Sequence, residues 1–151
     1  MFLRYVDTPL GALALEADAE GLTAASFAPR NRKEQTCPLL EEAARQVEEW
    51  FAGARKAFAL PLAVRGTPFQ KAVWKQLQAI PWGEYRTYGE IARNLGKPGA
   101  ARAVGNACGA NPLVLIIPCH RVLARNGRLG GFSAGLELKK KLLQREGIHW
   151  Q

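Results

Sequence analysis

The chain has 151 residues, of which 48% are hydrophobic, a content that excludes a disordered tail and predicts a folded globular protein. No apolar run approaches the ~20 residues of a membrane span, and the start, MFLRYVDTPLG, lacks the features of a signal peptide, so we expect a cytoplasmic protein with no membrane partner. The net charge of +8 favours a polyanionic partner, nucleic acid above all.

The few cysteines and histidines limit the cofactor chemistry open to the chain. Cys37, Cys108 and Cys119 are too few and too irregularly spaced for a disulfide framework, and no CxxC or HxxxH pair is present. A structural zinc ion normally takes a full tetrahedral set of Cys and His ligands. We therefore expect reduced thiols, no metal and no cofactor.

The first third of the chain has the pattern of an antiparallel sheet followed by a helix. The strand candidates FLRYVDT, ALALEA and LTAASFA are separated by turn signals. Apolar residues at helical spacing predict a helix over 38–53, and the alternating AFALPLAV predicts an edge strand over 57–64. The segment RGTP marks a boundary, which predicts domains 1–65 and 66–151.

The second domain is predicted to be mostly helical. Thr67 with Gln70, and Thr87 with Glu90, have the pattern of a capping box at the start of a helix. The helix that follows Thr87 is predicted to end at Gly96.

A helix-turn-helix candidate follows from the next segment. After the turn GKPG, a second short helix is predicted from about residue 100 to residue 110. The segment VLARNGRLGG then predicts a hairpin centred on Asn126-Gly127, which resembles the wing of a winged-helix domain.

Cys119 lies at the polar end of the apolar run LVLIIP, which predicts a buried strand or extended segment, and His120 and Arg121 follow it. A structural cysteine is expected inside such a run, whereas a positive neighbourhood favours the thiolate, the nucleophilic form. From the residues alone, a nucleophile, an inert thiol and a redox-active thiol remain open.

Five segments together carry a family resemblance: YGEIA, ARAVGNACGANP, IPCHRV, GGFSAG and LLQREG. In this order and spacing they resemble the O6-alkylguanine–DNA alkyltransferases, from about Thr67 to Gly147, and the first 66 residues are compatible with that family. The resemblance implies an α/β (α+β) protein, in which a ribonuclease-H-like sheet-and-helix roll precedes a mostly helical, winged-helix-like DNA-binding domain. It also implies a monomer.

The function implied is direct reversal of damage in double-stranded DNA that contains O6-alkylguanine, with O4-alkylthymine as a further substrate. The family flips the damaged base into a pocket, and its cysteine takes the alkyl group irreversibly. Cys119 matches that acceptor and His120 the histidine that takes the thiol proton through a water. Glu146 matches the carboxylate that orients the histidine, and Asn111 the asparagine that ties this network to the loop.

The resemblance also assigns residues that hold the substrate and the DNA. Tyr88, Ser133 and the Val122 carbonyl match groups around the guanine. Arg102 matches an arginine that fills the gap left by the flipped base. Lys97, Gly89 and Arg125 match DNA contacts.

Two residues depart from the pattern of the family, and one lies outside the matched segments. Phe132 stands where some members carry tyrosine, and Cys108 where a larger apolar residue is common, which leaves room for alkyl groups bulkier than methyl. His149 lies beyond the matched helix and is read as a surface residue.

Two alternatives belong to other classes of protein. The first is a lesion-binding protein that recognises alkylguanine without repairing it; such relatives replace the cysteine, so PCHR argues against it. The second is a Cys-His hydrolase, which would turn over a small substrate.

Overall fold

The computed structural model describes all 151 residues and divides them into two compact units. The first unit comprises Met1–Arg65 and Pro112–Ile116, and the second comprises Gly66–Asn111 and Ile117–Gln151. The sequence predicts domains 1–65 and 66–151; in the structure the first unit also includes Pro112–Ile116, which lies within the second of these ranges. No helix has both the length and the apolar character that crossing a bilayer requires.

In the first unit, an antiparallel sheet packs against one helix. Strands β1 (Phe2–Thr8), β2 (Gly11–Ala17) and β3 (Leu22–Phe27) lie in the order β1-β2-β3, as their alternating sequences predict. Helix α1 (Pro38–Phe51) contacts β1 and β2. Its apolar stripe and the apolar strand positions supply the core residues Leu13, Leu15, Leu22, Leu40, Ala43 and Val47.

The edge strand predicted over 57–64 is wrong. Only Leu62 forms a bridge, parallel to Leu22 of β3. The Leu22 N–H donates to the Pro61 carbonyl at 2.9 Å, and the Ala63 N–H donates to the Leu22 carbonyl at 2.8 Å. The ladder does not continue because Pro61 has no N–H to donate.

The apolar run after Asn111 also pairs with β3, but at a single residue. Leu113 bridges Ala25 in parallel, and the Val114 N–H donates to the Ala25 carbonyl at 3.1 Å. The Ile116 N–H then donates to the Val114 carbonyl at 2.9 Å, which closes a γ-turn at Leu115 with φ 73°. This left-handed conformation, rare for leucine, ends the extended segment two residues after Leu113.

The second unit holds α2 (Pro68–Gln78), α3 (Tyr88–Asn94), α4 (Ala101–Gly109) and α5 (Leu136–Arg145). Both predicted capping boxes are confirmed, at the starts of α2 and α3. Strands β4 (Arg86–Thr87) and β5 (Val122–Leu123) form a short parallel pair.

The predicted helix pair α3–α4 is confirmed. Gly96 adopts φ 73°, and its neighbour Lys97 donates its N–H to the Ala92 carbonyl at 2.9 Å, so α3 ends where the sequence indicates. Helix α4 buries Val104 and exposes Arg102 on another face. Helix α4 therefore carries an exposed, positively charged side chain beside its buried apolar face.

The predicted wing hairpin is only partly correct. Asn126 and Gly127 have φ 61° and 74°, as a two-residue turn requires, and the Ala124 N–H donates to the Arg128 carbonyl at 2.7 Å. No antiparallel strand pair flanks this turn, because Val122–Leu123 pairs with β4 instead.

Replacing Thr67 by alanine should lower the free energy of unfolding by about 1 kcal/mol, since the hydroxyl accepts the Gln70 N–H that would otherwise lack a partner. Chemical denaturation measures the change. Thr67→Ser, which keeps the acceptor, is the control. Equal losses in both variants would contradict a capping role.

Candidate active site

The backbone changes direction at Pro118, directly before Cys119, so the apolar run ends there. Pro118 has φ −80° and ψ 65°, and the Cys119 N–H donates to the Ile117 carbonyl at 2.8 Å, which is the geometry of an inverse γ-turn. The proline ring fixes this φ in advance. A 3-10 turn, Cys119–Arg121, follows directly. The sequence PCHR therefore places three consecutive polar side chains in different directions from one tight turn.

Asn111 holds the thiol of Cys119. Its Nδ2 donates to Cys119 Sγ at 3.1 Å and to the Ile117 carbonyl at 2.8 Å. Cys119 is 5% exposed. Burial raises the pKa of this thiol, and the Asn111 hydrogen bond opposes that shift because it stabilises the thiolate.

His120 and Glu146 form a buried pair. His120 Nε2 lies 2.6 Å from Glu146 Oε2, and both side chains are shielded from solvent. Because a carboxylate accepts at Nε2, that nitrogen carries the proton and Nδ1 keeps its lone pair. No protein atom bonds Nδ1. The imidazole is thus oriented as a base whose free nitrogen is directed away from Glu146.

Arg121 belongs to the same network, in a role that the sequence did not indicate. Its Nε donates to Glu146 Oε1 at 2.8 Å, and its Nη1 donates to the Ile80 carbonyl at 2.8 Å. The Gly83 N–H donates to Glu146 Oε1 at 2.9 Å. The positive charge after Cys119 is therefore directed at Glu146.

These contacts set the protonation states of the pair. Burial alone would raise the pKa of Glu146, but the hydrogen bonds from His120, Arg121 and Gly83 outweigh it and lower the pKa. Burial lowers the pKa of His120 and outweighs the opposing effect of Glu146. The Arg121 guanidinium already matches the Glu146 charge, so Glu146 raises the pKa of His120 too little to offset burial. At neutral pH the network is a carboxylate, a guanidinium and a neutral imidazole.

A cleft of about 1050 Å³ opens above Cys119. Most of the residues with predicted substrate or DNA roles line it: Tyr88, Gly89, Arg102, Arg125 and Ser133. Phe132 and Cys108 also line it. Val122 is buried, and Lys97 is exposed in the turn between α3 and α4; neither is part of the lining.

Asn111, His120 and Glu146 are not part of the cleft lining either, and hydrogen bonds connect each of them to the segment of Cys119. His149, which the sequence predicts at the surface, is exposed. No group of three or more His, Cys, Asp or Glu side chains is placed to hold a metal ion.

Lys139 is a second residue that the sequence analysis missed. It is fully buried, and its Nζ donates to the carbonyls of Val122, Leu129 and Gly131 at 2.7, 2.6 and 3.0 Å. The spacing of residues along α5 is the signal that could have indicated its burial. Lys139 shares a face of α5 with Leu142, Leu143 and Glu146, while its neighbours Lys140 and Lys141 do not share that burial.

Comparisons with known proteins cover both units. Residues 1–64 match the family model described as 6-O-methylguanine DNA methyltransferase, ribonuclease-like domain, and residues 68–148 match the DNA binding domain of the same family. A methylated-DNA–protein-cysteine methyltransferase of Methanosarcina acetivorans is 45% identical, over 97% of this chain and 99% of its own length.

Two solved structures are similar as well. The crystal structure of Mycobacterium tuberculosis OGT in complex with DNA has a TM-score of 0.88 at 42% identity and covers 97% of this chain and 92% of that one. The S. pombe protein Atl1, solved with damaged DNA containing O6-carboxymethylguanine, has a TM-score of 0.51 at 37% identity and covers 56% of this chain and 81% of its own.

The buried pair predicts the sign of the pH dependence of stability. The folded-state pKa of His120 lies below its ordinary value of 6.5, so only the unfolded chain takes up that proton, and stability falls as the pH drops through this region. The pKa of Glu146 is lowered from 4.5 and adds a loss of the same sign at more acidic pH. Thermal unfolding followed from neutral to acidic pH measures both effects.

His120→Asn should flatten the part of this dependence that lies just below neutral pH. His149→Asn, which changes the exposed histidine, should keep the slope of the unsubstituted protein. An unchanged slope in His120→Asn would show that His120 is not the neutral buried group.

Proposed function

The chain belongs to the 6-O-methylguanine DNA methyltransferase family, and we propose that Cys119 is the residue that accepts the alkyl group from O6-alkylguanine in double-stranded DNA. The activity is DNA repair by transfer of a methyl group to a protein cysteine. One observation carries the assignment to Cys119: it is the thiol that lines the cleft and also receives a hydrogen bond from Asn111 beside the His120–Glu146 pair.

The reaction is a single displacement at the alkyl carbon. The Cys119 sulfur forms a C–S bond as the C–O6 bond breaks, and guanine leaves with the electron pair of that bond. The product is a thioether, which water does not hydrolyse, so each molecule reacts once. This outcome separates the protein from a hydrolase, whose acyl intermediate is released.

His120 is the proposed acceptor of the thiol proton. Its Nδ1 carries the lone pair because Nε2 is bonded to Glu146. The proton passes from Cys119 to Nδ1 through a bridging water, and the imidazolium that forms faces a carboxylate 2.6 Å away. Glu146 thus stabilises the charge that develops on His120, as in a hydrolase triad.

The cleft is the proposed site of the flipped base. Tyr88 and Ser133 are placed on its walls, where they contact the guanine ring and O6. The Val122 carbonyl, which already accepts from Lys139, has a second lone pair for the exocyclic amine. Cys108 lines the same cleft, and its small side chain leaves space for groups larger than methyl.

The DNA contacts are proposed for the exposed edge of the α3–α4 pair. Arg102 projects from α4 at the cleft and fills the space that the base leaves in the stack. Gly89, Lys97 and Arg125 contact the phosphate backbone. The first unit, residues 1–65 together with the return segment, is the scaffold, and the remainder carries the DNA-binding surface and the acceptor.

The oligomeric state and the cellular location are also part of the proposed function. The protein acts as a monomer, because one chain supplies every group of the site. It works in the cytoplasm, where its free cysteines stay reduced and Cys119 remains a thiol.

The non-catalytic alternative is not favoured. A protein that only binds the lesion needs the cleft and the cations, and nothing in that task requires a thiol bonded to an asparagine or an oriented imidazole. Here Asn111, Cys119, His120 and Glu146 are connected behind the cleft.

Incubation with duplex DNA containing O6-methylguanine should increase the protein mass by that of one CH2 unit, because a methyl group replaces the thiol hydrogen. Cys119→Ala should abolish the adduct while leaving DNA binding largely intact. Intact-protein mass spectrometry measures the first effect and a gel-shift titration the second. Cys37→Ala, at a half-exposed cysteine of the first unit, is the control and should react normally. An adduct that persists in Cys119→Ala would place the acceptor elsewhere.

Arg102→Ala should slow the repair of duplex DNA without slowing the reaction with free O6-benzylguanine. Extruding a base costs a few kcal/mol, and a side chain inserted in its place offsets part of that cost. A deficit of ~2 kcal/mol corresponds to a rate lower by roughly thirtyfold at subsaturating DNA. Single-turnover kinetics with both substrates make the comparison.

Lys141→Ala removes an exposed charge of α5, outside the cleft, and serves as the matched control. Equal losses of Arg102→Ala on both substrates would mean that Arg102 supports the pocket and does not fill the stack.

A further inference from the structure

The cleft is lined by three arginines that no carboxylate neutralises. Arg93, Arg102 and Arg125 belong to the lining, and none of their side chains forms an ion pair or a hydrogen bond. Aspartate and glutamate are absent from the lining. The first unit differs, because several of its arginines pair with an acidic side chain: Arg4, Arg30, Arg32, Arg45 and Arg55. The proposed function uses Arg102 and Arg125 but not Arg93.

The side chain of Arg93 extends back along its helix toward the cleft. Arg93 lies in the last turn of α3, where an exposed cation usually stabilises the final carbonyls of a helix. Its Nη1 instead lies 3.4 Å from the position of a Cβ built at Gly89, four residues earlier. Residues i and i+4 share one face of a helix, and both Gly89 and Arg93 line the cleft. The guanidinium therefore lies at the cleft and not at the end of the helix.

The surroundings of this guanidinium leave its donors open. Gly89 has no side chain, so nothing occupies the space in which the Arg93 guanidinium lies. Glu90, the one acidic residue of α3, is used by the capping box, in which its Oε1 accepts the Thr87 N–H at 3.3 Å. A guanidinium has five N–H donors in a fixed planar arrangement. At Arg93 none of them has an acceptor within the protein.

The ligand that fits such a group in a DNA-binding protein is a phosphodiester. The planar donors of a guanidinium match two oxygens of one phosphate, and the pair is stronger than a neutral hydrogen bond. When a base leaves the stack and enters a pocket, its phosphates stay in the backbone and lie at the mouth of that pocket. Arg93 is exposed and lies on the side of the cleft formed by α3, which also carries Tyr88, a proposed contact of the guanine ring.

We propose that Arg93 binds a phosphate of the extruded nucleotide and thereby stabilises the flipped state of the damaged duplex. This inference rests on the proposed function, because it requires the damaged base to lie in the cleft. The role differs from that of Arg102, which fills the space left in the stack. Arg93 acts on the other part of the same event, since it neutralises the backbone charge that is carried to the cleft with the base.

The first test is the salt dependence of binding to a short duplex with a single O6-methylguanine. Fluorescence anisotropy measures affinity in the Cys119→Ala background, in which the lesion is not consumed. Arg93→Gln removes the charge, and Arg93→Lys keeps it. Arg65→Gln, at an exposed arginine of the first unit, changes the net charge by the same amount and is the matched control.

Arg93→Gln should lower the affinity about fivefold to tenfold at about 0.1 M salt and reduce the slope of log K against log salt by about 0.9, the value for one phosphate contact. Arg93→Lys should keep most of the slope, and Arg65→Gln should keep all of it. A slope that Arg93→Gln leaves unchanged, or that Arg65→Gln reduces equally, would overturn the proposal.

The second test identifies the phosphate. Uncharged methylphosphonates replace the phosphates on both sides of the O6-methylguanine nucleotide, or, in a control duplex, phosphates several nucleotides away. On the first duplex Arg93→Gln should cause no further loss of affinity, because the charge that it binds is already absent. On the control duplex the full loss should remain. Equal losses on both duplexes would show that Arg93 contacts DNA elsewhere, and would overturn the assignment to the extruded nucleotide.

A third measurement separates this role from support of the pocket. With Cys119 intact, Arg93→Gln should lower the single-turnover rate with duplex DNA relative to the rate with free O6-benzylguanine, which carries no phosphate. Equal losses on the two substrates would overturn the proposal. Failure of the proposed function would appear separately, as the absence of a methyl adduct in the unsubstituted protein.

Discussion

The buried carboxylate of Glu146 is the interaction on which the rest of the site depends. It is 3% exposed and lies at the C-cap of α5, an end of a helix that disfavours negative charge. It is retained there because the Gly83 N–H, the Arg121 guanidinium and His120 Nε2 all donate to it. Removing one partner of such a network typically costs about 3–5 kcal/mol. The position of Cys119 follows, since His120 and Arg121 continue its turn.

This arrangement divides the charges of the site into two sets. Glu146 and Arg121 neutralise each other, which leaves His120 neutral and able to accept a proton. Lys139 stays unmatched on the other side, where its hydrogen bonds run to the cleft wall. When the thiol ionises, its proton therefore has a neutral base to accept it, because Arg121 and not His120 matches the charge of Glu146.

Much of the fold and part of the site follow from local sequence. The strands β1–β3, the capping boxes at Thr67 and Thr87 and the turn at Gly96 depend on neighbouring residues, so pattern alone predicts them. The edge strand over 57–64 and the strand pair of the wing hairpin did not form, because the backbone groups of these segments bond to strands distant in the chain. An alternating pattern of apolar residues does not show which strand, β3 or β4, has unpaired backbone groups to which a distant segment can bond.

The roles of Arg121 and Lys139 escaped the sequence for a related reason. A basic residue is expected on the surface, and this chain has 21 lysines and arginines with which to cover it. Arg121 and Lys139 are buried because of partners that lie elsewhere in the chain. Glu146 lies 25 residues from Arg121, and the carbonyls that accept from Lys139 belong to three separate positions. Helical spacing could have flagged Lys139, but not what its ammonium binds.

Cys108 shows why chemistry at this cleft depends on more than the presence of a thiol. Cys108 and Cys119 line the same cavity, and both are buried. Burial raises the pKa of Cys108 to about 12, a shift that the charge of Lys139 only partly opposes. Cys108 belongs to α4, and the Asn111 backbone N–H donates to its carbonyl at 3.2 Å. The side-chain amide of Asn111 instead donates to Cys119 Sγ and to the Ile117 carbonyl. Lys139 favours a thiolate at either position, whereas Asn111 favours it at Cys119 alone. Selection between two thiols of one cleft is thus made by the γ-turn at Pro118, because that turn brings one sulfur, and not the other, within reach of the amide.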